Sequence, residues 1–283
     1  MVRQEYDKNT IQIKGTLSKV YRRDGDVFAL MSARSVASIR TRTLLRIDGG
    51  KINQTLVPLK QGMRVQVFGH LYPEEYAISV MQFLKLSLSS QKEPVSYSIT
   101  EADLAEWSDV FLTHNNPAIA VHAIAFLDDK DNVMKSFGKG FDPRIDNQVF
   151  LEGIVAKQWD YPPVVDGKRF VRIATYDRYC PPEPGQKTNG NRRLPRQQAH
   201  YYNVLIPDAD RDSVALRKRI FVEGSFENYS QQVTLRKALE HTNQDEKVRI
   251  LLSQLPDTDW LDQVSLSRRI NYVHAQAITV YDE

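Results

Sequence analysis

The chain has 283 residues, 41% of them hydrophobic, and a mean hydropathy of -0.46; this length favours two folded units over one small domain. No apolar run approaches the roughly 18 residues of a membrane helix, and the opening residues Met1 to Lys8 are polar where a secretory signal has an apolar core. Cys180 is the single cysteine, so no intrachain disulfide can form, and a soluble protein of a reducing, cytoplasmic compartment is expected. The net charge of +3 is segregated: residues 1–90 carry 14 basic and 7 acidic side chains, residues 91–146 carry 5 and 10, and residues 147–283 carry 19 and 18. An anion-facing first block is expected, followed by an acidic middle block that avoids polyanions.

Short β-branched and aromatic runs bounded by Gly, Pro, Asn and Asp recur along the chain, whereas long helical periodicity is scarce. In the first block the predicted strands are Thr10 to Val20, Val27 to Ala33, Thr41 to Ile47, Met63 to Leu71 and Ala77 to Leu88. In the middle block, Thr100 to Trp107 opens like a capped helix with acidic residues in its first turn. Ala118 to Leu127 and Val133 to Phe137 flank an Asp-rich turn as a hairpin, and His114-Asn115-Asn116 reads as a turn. The last block holds predicted strands Gln148 to Lys157, Arg169 to Tyr176, His200 to Ile206, Arg219 to Phe226, Gln232 to Ala238 and Tyr272 to Tyr281. A short helix is expected between Pro207 and Arg217, and the pieces Glu240 to Lys247 and Trp260 to Val264 read as helix or loop.

The first and last blocks share a pattern. Ile11-Gln12-Ile13-Lys14-Gly15-Thr16-Leu17 matches Val149-Phe150-Leu151-Glu152-Gly153-Ile154-Val155, and Val65-Gln66-Val67-Phe68-Gly69-His70-Leu71 matches Ile220-Phe221-Val222-Glu223-Gly224-Ser225-Phe226. Gly15 and Gly69 are 54 residues apart and Gly153 and Gly224 are 71 apart; the Pro-, Gly- and Asn-rich stretch Cys180 to Ala199 can absorb most of that excess. A glycine inside a strand suits a sharply coiled wall that another strand approaches closely. The expectation is therefore a mainly β protein of two five-stranded barrels in tandem, 1–90 and 147–283, joined by a helix and hairpin connector at 91–146.

Four phrases of the last block carry a family resemblance. They are Asn147-Gln148-Val149-Phe150-Leu151-Glu152-Gly153, Val171-Arg172-Ile173-Ala174-Thr175, Tyr201-Tyr202-Asn203-Val204-Leu205 and Leu216-Arg217-Lys218-Arg219-Ile220-Phe221-Val222-Glu223-Gly224. In type and order they resemble the strands of bacterial-type single-stranded DNA-binding proteins, over about a third of the chain. The resemblance implies OB-fold barrels that bind single-stranded DNA with little sequence preference, in replication, recombination or repair, at a nucleoid-associated place in the cytoplasm. Neither catalysis nor a cofactor is expected, because no catalytic or cofactor-binding motif occurs in the sequence. Where that family carries a disordered acidic tail, this chain ends Ala277-Ile278-Thr279-Val280-Tyr281-Asp282-Glu283, which reads as strand.

Binding a flexible single strand takes flat rings for unpaired bases and cations that follow phosphates. Carried over by position, Tyr179, Tyr201 and Tyr229 stand where the family places stacking aromatics, with Trp159, Tyr161 and Tyr202 as further candidates. Arg169, Arg172 and Arg178 flank the same expected face, and Lys187, Arg192, Arg193 and Arg196 fall in a basic stretch that reads as a phosphate-contacting arm. The first block offers a like mixture in Tyr21, Arg22, Arg23, Phe28, Arg40, Arg42 and Arg46. The expected partner is single-stranded DNA, with an RNA- or tRNA-binding module and a protein assembly module of a replication or mobile-element complex as alternatives. Homo-oligomerisation stays open, and neither a membrane nor a small-molecule substrate is expected. No His-Glu-x-x-His, Cys-x-x-Cys, Gly-x-Ser-x-Gly or phosphate-loop pattern occurs, and the six histidines are dispersed.

Overall fold

The computed structural model describes residues 6–34, 41–50, 58–90, 107–160, 169–181, 197–240, 245–254 and 258–281. Two compact units emerge, one formed by Met1–Pro73, Pro117–Asn228 and Asn271–Glu283, the other by Glu74–Asn116 and Tyr229–Ile270. None of the described helices is long and apolar enough to cross a membrane.

Eleven strands form one mixed sheet: β1 (Asn9–Arg23), β2 (Asp26–Ala33), β3 (Thr41–Ile47), β4 (Arg64–Ser79), β5 (Phe111–Leu127), β6 (Val133–Phe137), β7 (Asn147–Asp160), β8 (Arg169–Thr175), β9 (His200–Ile206), β10 (Arg219–Thr234) and β11 (Ser265–Val280). Their order is β10-β11-β9-β8-β7-β1-β2-β3-β5-β4, with β6 on β5 and further pairings β10 to β7 and β1 to β4. Two tandem five-stranded barrels joined by a connector are therefore not what forms, and the reason lies at β1. Its Gly15–Arg23 segment pairs β2 and its Ile11–Thr16 segment pairs β4, but Asn9–Ile13 pair β7 antiparallel, Asn9 opposite Leu151 and Ile13 opposite Asn147. That ladder makes the two halves one sheet. The expected connector joins it too, because β5 pairs β3 in parallel and carries β6 as a hairpin.

The pattern of pairing runs twice along the chain. β1, β2 and β3 follow one another antiparallel, as do β7, β8 and β9; β5 then returns parallel to β3, and β11 parallel to β9. The four strand glycines are required by close backbone approach. A Cβ on Gly69 would lie 2.1 Å from the Ala120 carbonyl oxygen of β5, and one on Gly224 would lie 2.2 Å from the His274 carbonyl oxygen of β11. Gly15 and Gly153 meet the carbonyl oxygens of Ser32 and Ala174 at 2.6 and 2.5 Å. Asn9 and Asn147, each six residues before its glycine, act as clamps: the Asn9 amide bonds both backbone groups of Leu71, and the Asn147 amide both those of Phe226. Alternate residues of these strands, among them Ile11, Ile13, Leu17, Val149, Leu151 and Phe226, fill one continuous apolar core.

In the second unit, the strands expected at Ala77 to Leu88 and Gln232 to Ala238 are instead strand ends followed by helices α1 (Val80–Ser90) and α2 (Leu235–Leu239). Local chemistry explains both. The Ser79 Oγ accepts from Gln82 N at 3.1 Å while Gln82 Oε1 accepts from Ser79 N at 3.2 Å, a reciprocal capping box. Thr234, ten residues after Gly224 as Ser79 is after Gly69, caps α2 by accepting from Lys237 N. Val80, Phe83 and Leu84 then lie at helical spacing and pack with Trp107, Leu235, Leu239, Leu261 and Trp260; α3 (Asp245–Gln254) adds Val248 and Leu251, and Trp260 and Leu261 open α4 (Trp260–Gln263). His114-Asn115-Asn116 lies inside β5, where the His114 and Tyr76 rings stack at 5.1 Å. The expected helix start at Thr100 falls outside the described residues.

Gly224→Ala forces a methyl group against the β11 backbone. The urea unfolding midpoint should fall by an amount corresponding to about 1–3 kcal/mol, and an unchanged midpoint would show that β10 and β11 are not in this close contact.

Candidate nucleic-acid interface

Strand alternation and register build the same ensemble in each half. A register shift between Leu17 and Lys19 skips Ser18, and one between Val155 and Lys157 skips Ala156. Beyond the shift, Tyr21 stands opposite Phe28 and Phe28 opposite Arg46; in the other half Trp159 stands opposite Phe170 and Phe170 opposite Leu205. Tyr21 and Phe28 stack at 5.6 Å with 15° between planes, Trp159 and Phe170 at 5.7 Å with 10°. Each couple carries cations. Lys19 lies 5.6 Å from the Tyr21 ring, Arg23 lies 4.5 Å from Phe28, and Arg172 lies 5.7 Å from Trp159. The next row along the sheet sets Lys19 opposite Leu30 and Lys157 opposite Arg172, and the row after it ends in Arg42 in one half and Tyr201 in the other.

The expected residues divide by burial. Tyr21, Arg22, Arg23, Arg42, Arg172, Arg178 and Tyr201 are exposed, Tyr201 at 52%, and Trp159 and Arg169 are half-buried. Phe28 and Tyr202 are buried: Phe28 is 2% exposed beneath Tyr21 and Arg23, and Tyr202, 1% exposed, donates its hydroxyl to the Leu71 carbonyl at 2.6 Å. Neither ring offers a bare face to a base: Phe28 lies on the outer face but is covered by Tyr21 and Arg23, and Tyr202 points into the apolar core. Arg46 is exposed but tied to Asp26 at 2.7 Å. Tyr229 is half-buried in the second unit. Arg40, Tyr161, Lys187, Arg192, Arg193 and Arg196 lie outside the described residues. Sequence reasoning passed over Lys19 and Lys157, each four residues after a strand glycine and two before the outward aromatic; that shared spacing was the available signal.

Tyr179 belongs to a different ensemble. Its ring stacks on His70 at 3.5 Å and 6°, while the Arg178 guanidinium covers it at 4.7 Å and donates to its hydroxyl. His122 Nε2 lies 2.8 Å from both the Tyr179 hydroxyl and His70 Nδ1. These rings line a cleft of about 460 Å³ together with Tyr72, Arg46 and His200. Burial, and then the neighbouring His122 ring, lower the His70 pKa from 6.5 to about 3. Behind the cleft, Asn9 Nδ2 bonds the Asp177 carboxylate and reaches the Tyr202 hydroxyl at 3.3 Å. Burial alone would raise the Asp177 pKa, but the His200 ring 3.9 Å away, the Asn9 amide and the Tyr179 N–H hold it below its ordinary value. Burial and the Asp177 charge push the Cys180 thiol up to about 11, which removes thiolate nucleophilicity at neutral pH.

The neutral His70 has a consequence for acid stability. Between pH 6.5 and about 3 the unfolded chain binds a proton at this ring that the folded chain refuses, so this contribution is complete above 6.5 and is lost as the pH falls. Urea unfolding near pH 7.5 and at about pH 5 should show His70→Gln losing about 2 kcal/mol less than the parent on acidification. Equal losses would place His70 in solvent.

No family model matches the sequence, and no curated protein matches it. Among solved structures, the chain is similar to the wild-type single-stranded DNA binding protein from Thermus aquaticus, at 13% identity and a TM-score of 0.47, over 99% of this chain and 95% of that one. A deletion mutant of the same Thermus aquaticus protein gives 12% identity and a TM-score of 0.48, over 98% of this chain and 96% of that one.

Proposed function

We propose that this protein binds single-stranded DNA with little sequence preference, through two like platforms, one in each half of the sheet. The observation that carries the reading is the pair of register-equivalent aromatic couples, Tyr21 with Phe28 and Trp159 with Phe170, each accompanied by cations. In each couple the inner ring supports the outer one: Phe28 and Phe170 are buried, Tyr21 is 36% exposed and Trp159 half-buried. A supported outer ring is what an unpaired base stacks on, since every base has a π-face whatever its sequence. Tyr201 adds a second exposed ring to the later half, and Lys19, Arg22, Arg23, Arg42, Lys157 and Arg172 supply charge for phosphates. Two sites on one chain raise affinity for any strand long enough to reach both. Such a surface serves the handling of exposed single strands in replication, recombination or repair.

The test is anisotropy of a labelled oligothymidine at two ionic strengths. Affinity should fall with salt at a log-log slope of about -0.7 per phosphate neutralised. Tyr21→Ala and Trp159→Ala should each weaken binding by a factor corresponding to about 1–3 kcal/mol. Absence of saturable binding at low salt, or full affinity in the double variant, would remove the proposal. Equal competition by oligouridine would move it to single-stranded nucleic acid of either sugar, because a 2′-hydroxyl preference is read by contacts other than stacking.

A further inference from the structure

We propose that Asp177, Cys180 and His200 form a binding site for one zinc-class divalent cation. Their ligand atoms all lie within 4.8 Å of one another. Cys180 Sγ is 3.5 Å from Asp177 Oδ1, and His200 Nδ1 is 3.9 Å from Asp177 Oδ2. Ligands at 2.0–2.3 Å around a tetrahedral zinc are themselves roughly 3.3–3.8 Å apart, so closing the set onto a metal takes a small contraction.

Three observations besides proximity point the same way. First, the set is interior, with Asp177 at 2% and Cys180 at 6% exposure, where an uncompensated carboxylate is costly. Second, His200 Nδ1 is buried and has no hydrogen-bond partner among the described residues, its distance to Asp177 being too long for one; a metal ion would give that nitrogen its missing partner. Third, the carboxylate is already held from behind, by Asn9 Nδ2 on Oδ2 and by Tyr179 N on Oδ1 at 2.8 Å, the kind of outer support that orients metal ligands. Mixed sulfur, nitrogen and oxygen donors suit zinc over magnesium or calcium.

The charges close. On binding, the Cys180 Sγ–H bond breaks and its proton leaves to solvent. The thiolate and the Asp177 carboxylate then balance the two positive charges of the ion, and neutral His200 supplies the third lone pair. The fourth position is left to water. Cys180 and His200 stand on either side of the basic stretch that holds Lys187, Arg192, Arg193 and Arg196. A bound ion therefore joins two points of the chain 20 residues apart in sequence, whether or not the chain binds nucleic acid.

Cobalt reports on the site directly. Because Cys180 is the only thiol in the chain, a near-ultraviolet thiolate-to-cobalt charge-transfer band can arise nowhere else. The full-length protein, stripped with a chelator and titrated with Co²⁺, should develop that band together with the visible bands of a four-coordinate ion, saturating at one ion per chain, and Zn²⁺ should displace it. Cys180→Ser should abolish the charge-transfer band, and His200→Gln should weaken Co²⁺ and Zn²⁺ binding by about 100-fold or more. His122→Gln should leave both metals bound as in the parent. A parent protein that gives no charge-transfer band overturns the site without recourse to any variant. So does a His200→Gln variant that keeps the parent's circular dichroism and its metal affinity, which would leave Asp177 and His200 as a plain ion pair.

Discussion

The antiparallel ladder between Asn9–Ile13 and Asn147–Leu151 is the constraint on which the arrangement of the first unit depends. Its register is symmetric. Asn9 faces Leu151, Ile13 faces Asn147, and Ile11 faces Val149 at the centre, so each position of one opening strand meets the mirrored position of the other. Two copies of one sequence pattern thus pair as two identical chains would at an isologous interface. An opening strand of this type has one edge occupied by its own half, β4 for β1 and β10 for β7. On the opposite edge the first residues precede the segment that pairs β2 or β8. Unpaired, those backbone groups would invite another strand; here each half covers the other's.

Burial around this ladder is polar as well as apolar. Asn9 bonds Leu71 of its own half while also reaching Asp177 and Tyr202 of the other. Arg219 joins Glu152 of its own half to Asp7, and Thr41 of β3 donates to Glu227 of β10 at 2.9 Å. Such contacts contribute modestly to net stability when complete and cost more when broken, because a lone buried partner cannot regain water. They favour one relative placement of the two halves over a slide along the ladder, which would keep apolar contacts but strand Asn9, Asp7 and Glu227. The exposed faces of Tyr21 and Trp159 inherit that fixed relation.

Strand content was legible because alternation of β-branched and polar residues is a local signal, and the spans Thr41–Ile47 and His200–Ile206 coincide with their expectation. The strand glycines were legible for the same reason, and their close contacts supply the physical cause. Helices α1 and α2 were hidden because their apolar residues run straight on from β4 and β10; the deciding feature was a side-chain cap at Ser79 and Thr234, whose position ten residues after each glycine was visible but unread. The joining of the halves was not legible, since which free edge meets which is a tertiary matter that no single strand encodes. Among candidate site residues, inward or outward direction depends on register beyond a skipped residue, at Ser18 and at Ala156. Phe28 alternates with the core residues Val27 and Ala29 and is buried on the outer face only because Tyr21 and Arg23 cover it, whereas Tyr202, next to the exposed Tyr201, points into the core. The polar ensemble of His70, His122, Asp177 and His200 draws on four distant segments and left no spacing to find.

The two platforms differ in a way that the shared backbone makes interpretable. At equivalent register, Leu30 and Leu44 of the first half correspond to Arg172 and Asn203 of the second, and Arg42 corresponds to Tyr201. The first platform therefore has an apolar middle row edged by cations, with Leu30 36% exposed, whereas the second sets a cation, Arg172, in its middle row and an exposed ring at its end. On the proposed reading, charge in the middle of the surface would hold a phosphate close to a stacked base, while an apolar middle row would leave phosphates to the periphery. The same fold thus carries two surfaces of unequal chemistry, and the later half has both more exposed aromatic area and the more central cation. A duplicated wall joined to its twin through a symmetric ladder is free to diverge on its outer face, because the residues that bind the halves together, Asn9, Ile11, Asn147 and Val149, lie on the ladder and not among the outward rings.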